Sequence, residues 1–343
     1  MSLDDAATGT PDALNLGRFP RVDLCHSPTP IEAMHRLTAE LGGPNLFVKR
    51  DDCTGLAQGG NKTRKLEFLL GEAVAEGADM LVTQGAVQSN HVRQTAAAAC
   101  RAGLKCHALL ERRVEDEPRG YADSGNILLD RLFGTTLEYR PAGLDMNAEA
   151  AAVTERLRAE GHRPYFIPGG GSNATGALGY AHCAQEILGQ GFDFQWIVTA
   201  TGSTGTHAGL VAGLHALSDD TPVMGISVRQ PKDRQIAAVH ALAQKTAEKL
   251  GASEVPVGKI LVDDGYIGPG YGVPAQSTLD AIEMTALTEG LLLDPVYSAK
   301  GMAGLIGLVR EGFFKPTDNV LFLHTGGATA LFAYQDLVLR NRA

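Results

Sequence analysis

A lysine stands at the point where a glycine-rich segment becomes a helix, in residues 59–65, GGNKTRK. Because the first turn of a helix carries partial positive charge, and because Arg64 and Lys65 are close by, the neutral form of the Lys62 amine is favoured. A neutral lysine amine attacks carbonyl groups, so Lys62 is a candidate nucleophile that forms a Schiff base. The alternative is a charged, solvated lysine at a basic helix start. The helix itself is predicted by apolar residues spaced three and four apart, Leu66, Leu69, Leu70, Ala73 and Val74.

The same segment resembles a phosphate-binding P-loop but departs from it at one position. Residues 55–63 read G-x-x-x-x-G-N-K-T, so Asn61 separates Gly60 from Lys62. The P-loop needs its glycine and lysine adjacent, because backbone amides and the lysine converge on one phosphate. No G-x-G-x-x-G follows a predicted strand either. The sequence therefore excludes a P-loop ATPase and gives no support for a dinucleotide site.

A second glycine-rich loop, residues 199–207, lies between a predicted strand that begins at Trp196 and a predicted helix over residues 210–217. Small residues let backbone amides approach an anion, and the helix start supplies a favourable field. The loop offers hydroxyl donors but no lysine and no magnesium ligand, which favours a phosphate monoester over a nucleoside triphosphate. The alternative is a merely flexible turn. The predicted anion ligands are Thr201, Gly202, Ser203, Thr204, Gly205 and Thr206.

Further polar side chains follow predicted strands at their carboxyl ends. Ser89 and Asn90 begin a helix, where such residues are ordinary caps, but they would also present a hydroxyl and an amide to a cleft. Thr325 follows the last predicted strand in the same way. Tyrosines in apolar surroundings are more often core residues, and this alternative applies to Tyr271 and Tyr297. The candidate cleft residues of this group are Ser89, Asn90, His91, Tyr271 and Tyr297.

Composition limits the classes of partner. The chain has 343 residues, 44% of them hydrophobic, and a net charge of -9 without a dominant basic patch. Neither a nucleic acid nor an anionic membrane surface is therefore expected as a partner. The five cysteines are dispersed and never form C-x-x-C, which argues against a disulfide framework and a structural zinc site, so we expect no metal and a cytoplasmic location. No apolar run is long enough to span a bilayer.

Predicted strands alternate with predicted helices along the chain, the first helix running from Thr29 to Leu41. This rhythm predicts an α/β fold of parallel sheets covered by helices. Since a single sheet would need too many strands, we predict two open, twisted, mostly parallel sheets with the active site in an interdomain cleft. A large cofactor-binding domain would comprise residues 1–52 and 165–343, and a small domain residues 53–164. The predicted strands are residues 46–48, 79–83, 105–110, 136–139, 164–167, 196–199, 223–228, 260–262 and 320–323.

Six motifs occur in order along the chain: GGNKTRKLEFL, GAVQSNHVRQTAA, ATGSTGTHAGL, PGYGVP, DPVYSAKGMAGL and HTGGATALFAY. Together they resemble the fold-type II pyridoxal-phosphate enzymes, in the branch of D-cysteine desulfhydrase, L-cysteate sulfo-lyase and 1-aminocyclopropane-1-carboxylate deaminase. The resemblance runs from Phe19 to Tyr334. It implies a tryptophan synthase β-like fold, pyridoxal 5'-phosphate as cofactor, a small amino acid as substrate, and a homodimer.

The resemblance also implies how the cofactor would be bound. Lys62 would hold it covalently and later transfer protons, Asn90 would hydrogen-bond the phenolic oxygen of its ring, and residues 202–206 would bind its phosphate. Thr325 would contact the pyridine nitrogen. A hydroxyl cannot stabilise a protonated pyridine as a carboxylate does, so the ring would be a weaker electron sink. Substrates with a good leaving group at Cβ need that sink less.

On the substrate side, the resemblance implies that Ser89 contacts the carboxylate or assists proton transfer and that Tyr271 and Tyr297 face the substrate. The deaminase of the family has a glutamate and a leucine where this chain has Ser298 and Thr325. That departure favours β-elimination from a cysteine-like amino acid over deamination. Lys62 or another base in the cleft would remove the α-proton, and pyruvate and ammonia would be released.

The leaving group distinguishes the remaining possibilities. We expect sulfite from L-cysteate, because Arg229, Lys232 and Arg234 could bind a sulfonate, although they could equally form a solvated surface run. The alternative is hydrogen sulfide from D-cysteine. Less expected are 1-aminocyclopropane-1-carboxylate deamination, a dehydratase of hydroxy amino acids, and a pyridoxal-phosphate-binding protein without catalysis.

Overall fold

The computed structural model describes residues 12–340 as an alternation of ten strands and eleven helices. The strands are β1 (Ile31–Ala33), β2 (Asn45–Lys49), β3 (Met80–Ala86), β4 (Lys105–Arg112), β5 (Thr136–Pro141), β6 (Pro164–Ile167), β7 (Trp196–Thr201), β8 (Val223–Ser227), β9 (Ile260–Asp263) and β10 (Asn319–Leu323). The helices are α1 (His35–Leu41), α2 (Lys62–Ala75), α3 (Asn90–Arg101), α4 (Asn126–Leu132), α5 (Met146–Ala159), α6 (Ala174–Gly189), α7 (Gly205–Ala216), α8 (Lys232–Leu250), α9 (Gln276–Glu289), α10 (Ser298–Arg310) and α11 (Gln335–Arg340).

The strands form two sheets, which confirms the predicted fold class. The larger sheet has six strands in the order β1-β2-β10-β7-β8-β9, and the smaller has four in the order β5-β4-β3-β6. Every pair is parallel except β1 with β2. Parallel strands need crossover connections, and here the helices supply most of them and cover the sheets.

The larger sheet is buried on both faces. Along β10, Val320 and Phe322 pack in one core with α1, α9 and α10, whereas Leu321 and Leu323 pack in a second core with α6, α7 and α8. Successive side chains of a strand point to opposite faces, so both faces of β10 need apolar residues. This two-sided burial explains why the strands of this sheet are continuous apolar runs in the sequence.

Helix α2, which begins at Lys62, packs between the smaller sheet and α6. Its apolar residues share a core with Leu81 of β3 and with α3. Against α6 the two backbones are so close that a Cβ atom on Gly179 would lie 2.2 Å from the carbonyl oxygen of Arg64. Only glycine allows this approach, and the packing fixes the position of the helix start that carries Lys62.

Three local predictions differ from the structure. Helix α7 begins at Gly205 and not at Leu210, so the end of the predicted loop 199–207 forms the first turn of this helix. The helix predicted from Thr29 begins only at His35, because residues 31–33 pair antiparallel with β2 as an edge strand. Strand β3 continues through Gly85 to Ala86, where the sequence predicted a turn. The division into two domains stays a prediction. Since β6 pairs with β3, a boundary after residue 164 would divide a strand of the smaller sheet, and we propose to place it after Ile167 instead.

Within residues 12–340, none of the helices combines the length and the apolar character that a membrane span requires.

Candidate active site

A cavity of about 330 Å³ lies where the carboxyl ends of strands from both sheets meet. Segments that follow β3, β4, β6, β7, β8 and β10 contribute to its wall. Parallel sheets bind ligands at this edge. Gly205 does not line the cavity, but the other predicted site residues do: Lys62, Ser89, Asn90, His91, Thr201, Gly202, Ser203, Thr204, Thr206, Tyr271, Tyr297 and Thr325.

The start of α2 is fixed to two of these segments by Asn61. Its side-chain amide donates to Thr206 Oγ1 at 2.9 Å, and its backbone amide donates to the carbonyl oxygen of Thr325 at 3.0 Å. The Lys62 side chain is thereby held in the same cavity as the loop around Gly202. This proximity was required by the sequence-based hypothesis.

Residue Lys62 as a whole is partly exposed to the cavity, but burial around its amine lowers the pKa of that amine to about 8. A hydrogen bond with the Lys65 amine and the negative charge of Asp294 act in the opposite direction. Burial, followed by the charge of Lys62, lowers the pKa of the fully buried Lys65 well below its usual value. The sequence-based explanation is thus corrected, because desolvation and not the helix field or Arg64 is the main cause of the lowered pKa of Lys62.

The loop before α7 lines the cavity with groups that can donate hydrogen bonds to an anion. The first amides of α7 have no partner within the helix, and Thr204 adopts a left-handed conformation with φ of 74° at the cap position. A Cβ atom on Gly202 would lie 2.9 Å from Val228 Cγ2, so this position accepts only glycine without a shift of its neighbour. The hydroxyl of Ser172, which also lines the cavity, donates to Ser203 Oγ at 3.0 Å and so supports the loop. Amides and hydroxyls together suit a phosphate group.

Two predicted phosphate ligands already form hydrogen bonds within the protein. The Gly205 amide donates to Ser203 O at 3.0 Å and to Ser172 Oγ at 3.2 Å, so its role as a direct ligand is not favoured. Thr201 Oγ1 accepts a hydrogen bond from Gln235 Nε2 at 2.8 Å. The Thr201 hydroxyl proton remains available to a ligand, so the predicted role of Thr201 stays a prediction, whereas Gly205 shapes the loop.

Ser89 and Asn90 combine the two roles that the sequence left open. Ser89 is the N-cap of α3, where its hydroxyl oxygen accepts from the Val92 amide at 3.2 Å, and it also lines the cavity. The side-chain oxygen of Asn90 accepts from Asn126 Nδ2 at 3.0 Å. The Asn90 amide nitrogen is left as a donor for a ring oxygen, because its acceptor side is already engaged.

His91 is held in one tautomer by Thr83. The Thr83 hydroxyl donates to the carbonyl oxygen of Ile167 at 2.8 Å and lies 2.8 Å from His91 Nε2, so Nε2 must carry the proton. His91 Nδ1 has no hydrogen-bond partner among the described residues. Burial, and then the charges of Lys62 and Lys65, lower the pKa of His91 well below its usual value, which keeps the ring neutral.

Tyr271 and Tyr297 meet in the wall of the cavity. Their hydroxyl oxygens are 2.6 Å apart and their rings pack edge to face. Burial raises the pKa of both phenols, so both are protonated at neutral pH. In a pair of neutral hydroxyls one proton lies between the two oxygens, and the other remains available to a ligand.

Asp294 organises the helix start that carries Tyr297. Its carboxylate accepts from the amides of Val296, Tyr297 and Ser298 at 3.1, 3.1 and 2.7 Å, and from the Ser298 hydroxyl at 2.7 Å. Ser298 is therefore engaged with Asp294 and is not among the cavity residues. Thr325 does line the cavity, with 8% of its surface exposed.

Sequence reasoning missed several residues of this site. Arg113 lines the cavity just after β4, with its guanidinium 4.9 Å from the centre of the Tyr271 ring. Ser172 follows a run of three glycines after β6, and that run was a usable signal because glycine-rich turns at strand ends often border ligands. Of the predicted cationic cluster, Arg229 lines the cavity, whereas Lys232 and Arg234 are exposed and do not.

Comparisons with known proteins agree with this geometry. The model of the pyridoxal-phosphate dependent enzyme family matches residues 22–326. A D-cysteine desulfhydrase from Klebsiella pneumoniae subsp. pneumoniae is 48% identical over 323 residues, which cover 93% of this chain and 98% of that protein. A crystal structure of an ACC deaminase homologue is 37% identical with a TM-score of 0.88, covering 97% of this chain and 99% of the other.

A more distant structure, O-ureido-L-serine synthase, is 18% identical with a TM-score of 0.65 over 91% of this chain and 93% of its own, and it supports the fold alone. The residues present fit pyridoxal 5'-phosphate. A lysine amine of lowered pKa can react with its aldehyde, the helix start and hydroxyls around Gly202 can bind its phosphate, and the Asn90 amide can donate to its ring oxygen. The chain belongs to the pyridoxal-phosphate dependent enzyme family, in the fold-type II architecture, and pyridoxal 5'-phosphate is its cofactor.

Proposed function

We propose that this enzyme is a carbon–sulfur lyase that converts D-cysteine to pyruvate, ammonia and hydrogen sulfide. The observation that carries the proposal is the Lys62 amine, with a pKa of about 8, facing an anion site and a pair of neutral tyrosines in one cavity. The likeness to a D-cysteine desulfhydrase over nearly the whole of both chains supports sulfide as the leaving group. This replaces the sequence-based preference for sulfite, which has no comparable support.

Each residue of the cavity has a separate role in the proposed reaction. Pyridoxal phosphate, when bound, supplies the electron sink for bond breaking at Cα. The Lys62 amine is placed to accept the α-proton, because a pKa near 8 leaves part of it neutral at physiological pH. The Ser89 hydroxyl, whose proton is not engaged at the helix cap, is placed to donate to the substrate carboxylate and fix its orientation. The neutral His91 offers only the acceptor Nδ1, which suits a donor group of the substrate and not its carboxylate. The free hydroxyl proton of the Tyr271–Tyr297 pair is placed to protonate the departing sulfur.

A second candidate substrate, L-cysteate, is favoured by two arginines in the cavity wall. Arg113 is bound through Nε to Glu111, and neither of its terminal nitrogens has an acceptor among the described residues. Arg229 lines the same cavity. A guanidinium with free terminal donors suits a sulfonate, which offers several oxygens in a fixed geometry. In that case sulfite would leave in place of sulfide.

Turnover of D-cysteine, L-cysteine and L-cysteate by the purified holoenzyme tests both candidates. We expect pyruvate and sulfide in equal amounts from D-cysteine. Sulfite from L-cysteate without sulfide from D-cysteine would replace the first candidate by the second, and no pyruvate from any of the three would refute lyase activity. Arg113→Met separates them further, because losing a charge-assisted contact should lower kcat/KM for L-cysteate about 100-fold but leave D-cysteine turnover within about threefold.

We also propose a homodimer. Three large apolar side chains, Leu128 and Leu132 of α4 and Phe332, are 56%, 74% and 70% exposed. The segment before Phe332 packs at the start of α4, since a Cβ atom on Gly125 would lie 3.1 Å from the Thr329 carbonyl oxygen. Exposed apolar groups that are close together are typical of an interface. Light scattering should give twice the mass of the chain, and a monomer at micromolar concentration would contradict the proposal.

A further inference from the structure

The segment between β9 and α9, residues 264–275, carries Tyr271 and is attached to α10 at three places. The Tyr271 hydroxyl meets that of Tyr297, at the cap of α10. Lys300, one turn further on, donates through Nζ to the carbonyl oxygens of Ile267 and Gly270, the second at 2.9 Å. Closer to the end of α10, Tyr266 occupies the space beside Gly307, where a Cβ atom would lie 1.6 Å from its hydroxyl oxygen.

The environment of Lys300 is unfavourable for a cation. Its side chain is fully buried, and no carboxylate among the described residues forms an ion pair with it. It also lies in the first turn of α10, where the helix field opposes positive charge. Burial lowers the pKa of Lys300 to about 8, with Asp294 acting in the opposite direction. Burying an unpaired charge costs free energy, so a leucine or methionine would serve packing better.

Lys300 does not line the cavity, so it is not placed to touch substrate or cofactor. Both of its acceptors belong to the segment that carries Tyr271, and one of them, Gly270, is the residue immediately before it. The carbonyl of Gly270 fixes the backbone from which the Tyr271 side chain leaves. Tyr271 therefore depends on α10 twice, through its own hydroxyl and through the Lys300 amine.

We propose that Lys300 is a positioning residue, which holds the backbone at Gly270 and thereby keeps the Tyr271 hydroxyl on Tyr297 in the wall of the cavity. The measurement of turnover rests on the proposed lyase function. The hydrogen bonds that hold residues 264–275 can be tested without it. A measurement on the loop itself is therefore paired with the measurement of turnover.

The experiment compares Lys300→Met with the wild-type holoenzyme and with Lys259→Met, a change at a partly exposed ion pair at the amino end of β9, the strand whose carboxyl end leads into residues 264–275. Amide hydrogen exchange is followed in residues 264–275, and kcat/KM is measured on whichever amino acid is turned over. In Lys300→Met we expect exchange in this segment about tenfold faster and kcat/KM about tenfold lower, with the absorption band of the bound cofactor unchanged. Lys259→Met should alter none of the three.

A double-mutant cycle with Tyr271→Phe decides whether Lys300 acts through Tyr271. If it does, the change Lys300→Met lowers kcat/KM less than about twofold in the Tyr271→Phe background. A full tenfold loss in that background, or unchanged exchange in residues 264–275, would overturn the proposal. Should no amino acid be turned over, the exchange measurement still decides. If Lys300→Met does not fold, Lys300→Gln, which keeps a donor on a shorter side chain, should give the same effects at smaller size.

Discussion

The first turn of α2 has two faces with different charge environments. On the compensated face the charge of Arg64 is paired with carboxylates, whereas on the amine face Lys62 and Lys65 have no such partner in the part of the chain that the structure describes. Arg64 donates to both oxygens of Asp51 at 2.8 and 2.9 Å and to Glu186 at 2.9 Å. Lys62 and Lys65, on either side of it in the sequence, have no carboxylate partner among the described residues. Burial acts to lower the pKa of all three, but the two carboxylates raise the pKa of Arg64 well above its usual value.

The buried network around Arg64 is complete. Lys49 pairs with Glu186, and the Tyr180 hydroxyl donates to Asp51 at 2.6 Å, so two cations face two anions with further hydrogen bonds. Such a cluster fixes the orientation of α2 relative to β2 and α6. The amine face is left uncompensated, and the lowered pKa of Lys62 is the chemical result. One turn of α2 therefore carries both a cation that is paired with carboxylates, Arg64, and two lysine amines that have no carboxylate partner among the described residues.

The largest effect on turnover is expected when the amine of Lys62, on the face without carboxylate partners, is removed. Lys62→Ala should reduce turnover to below about 0.1% of the wild-type rate, because both the covalent attachment and the proton acceptor are lost. The visible absorption band of the bound cofactor should disappear as well. Spectra and turnover of Lys245→Ala, an exposed lysine of α8, provide the control. A band retained by Lys62→Ala would exclude Lys62 as the attachment site.

The compensated face is tested by Arg64→Met. Removing one partner of a buried ion pair leaves unpaired charge on Asp51 and Glu186, and we expect the free energy of unfolding to fall by about 3–5 kcal/mol. Urea denaturation of the variant and the wild type measures this loss. A decrease below about 1 kcal/mol would mean that the network does not stabilise the helix start.

The sequence predicts the residues that depend on local position and misses those that depend on distant segments. Lys62 and the loop around Gly202 were found because a glycine-rich turn between strand and helix has a known geometry. The partners that complete the site come from elsewhere, such as Ser172 bonded to Ser203 and Asn126 bonded to Asn90. The glycine run before Ser172 indicates a ligand-binding turn, but no pattern in the sequence pairs Ser172 with Ser203 or Asn126 with Asn90, so only the packing of the sheets reveals these two contacts.

Arg64 shows the same limit from the opposite side. In the sequence it adds to the positive charge around Lys62, but in the structure its guanidinium is directed to Asp51 and Glu186. No local pattern distinguishes the two orientations, because both carboxylates are remote in the chain or lie in another element. The lowered pKa of Lys62 was therefore predicted correctly, but from the wrong main cause.

The smallest effect is expected from the contact between the two amines, and it has a defined sign. Cofactor attachment needs the neutral Lys62 amine, so its rate in cofactor-depleted enzyme should rise about tenfold per pH unit and level off above a pH of about 8. The hydrogen bond that the charged Lys62 amine donates to the neutral Lys65 amine raises the pKa of Lys62, so in Lys65→Met the midpoint should move to lower pH. Stopped-flow absorbance on addition of pyridoxal phosphate measures both profiles, and Lys105→Met, an exposed lysine, is the control.

The effect of Lys65→Met on the free energy of unfolding can also be compared with that of Arg64→Met, on the other face of α2. Methionine fills a similar volume, and the Lys65 amine it replaces bonds one carbonyl, that of Gly170 at 3.2 Å, and no carboxylate. Unfolding free energy should therefore change by less than about 1.5 kcal/mol, well below the loss expected for Arg64→Met. If Lys65→Met were as destabilising as Arg64→Met, or moved the midpoint to higher pH, the two lysines would have to be compensated in solution by a group that binds between them. The contrast between the faces of α2 would then reflect a bound ion and not the protein's own charges.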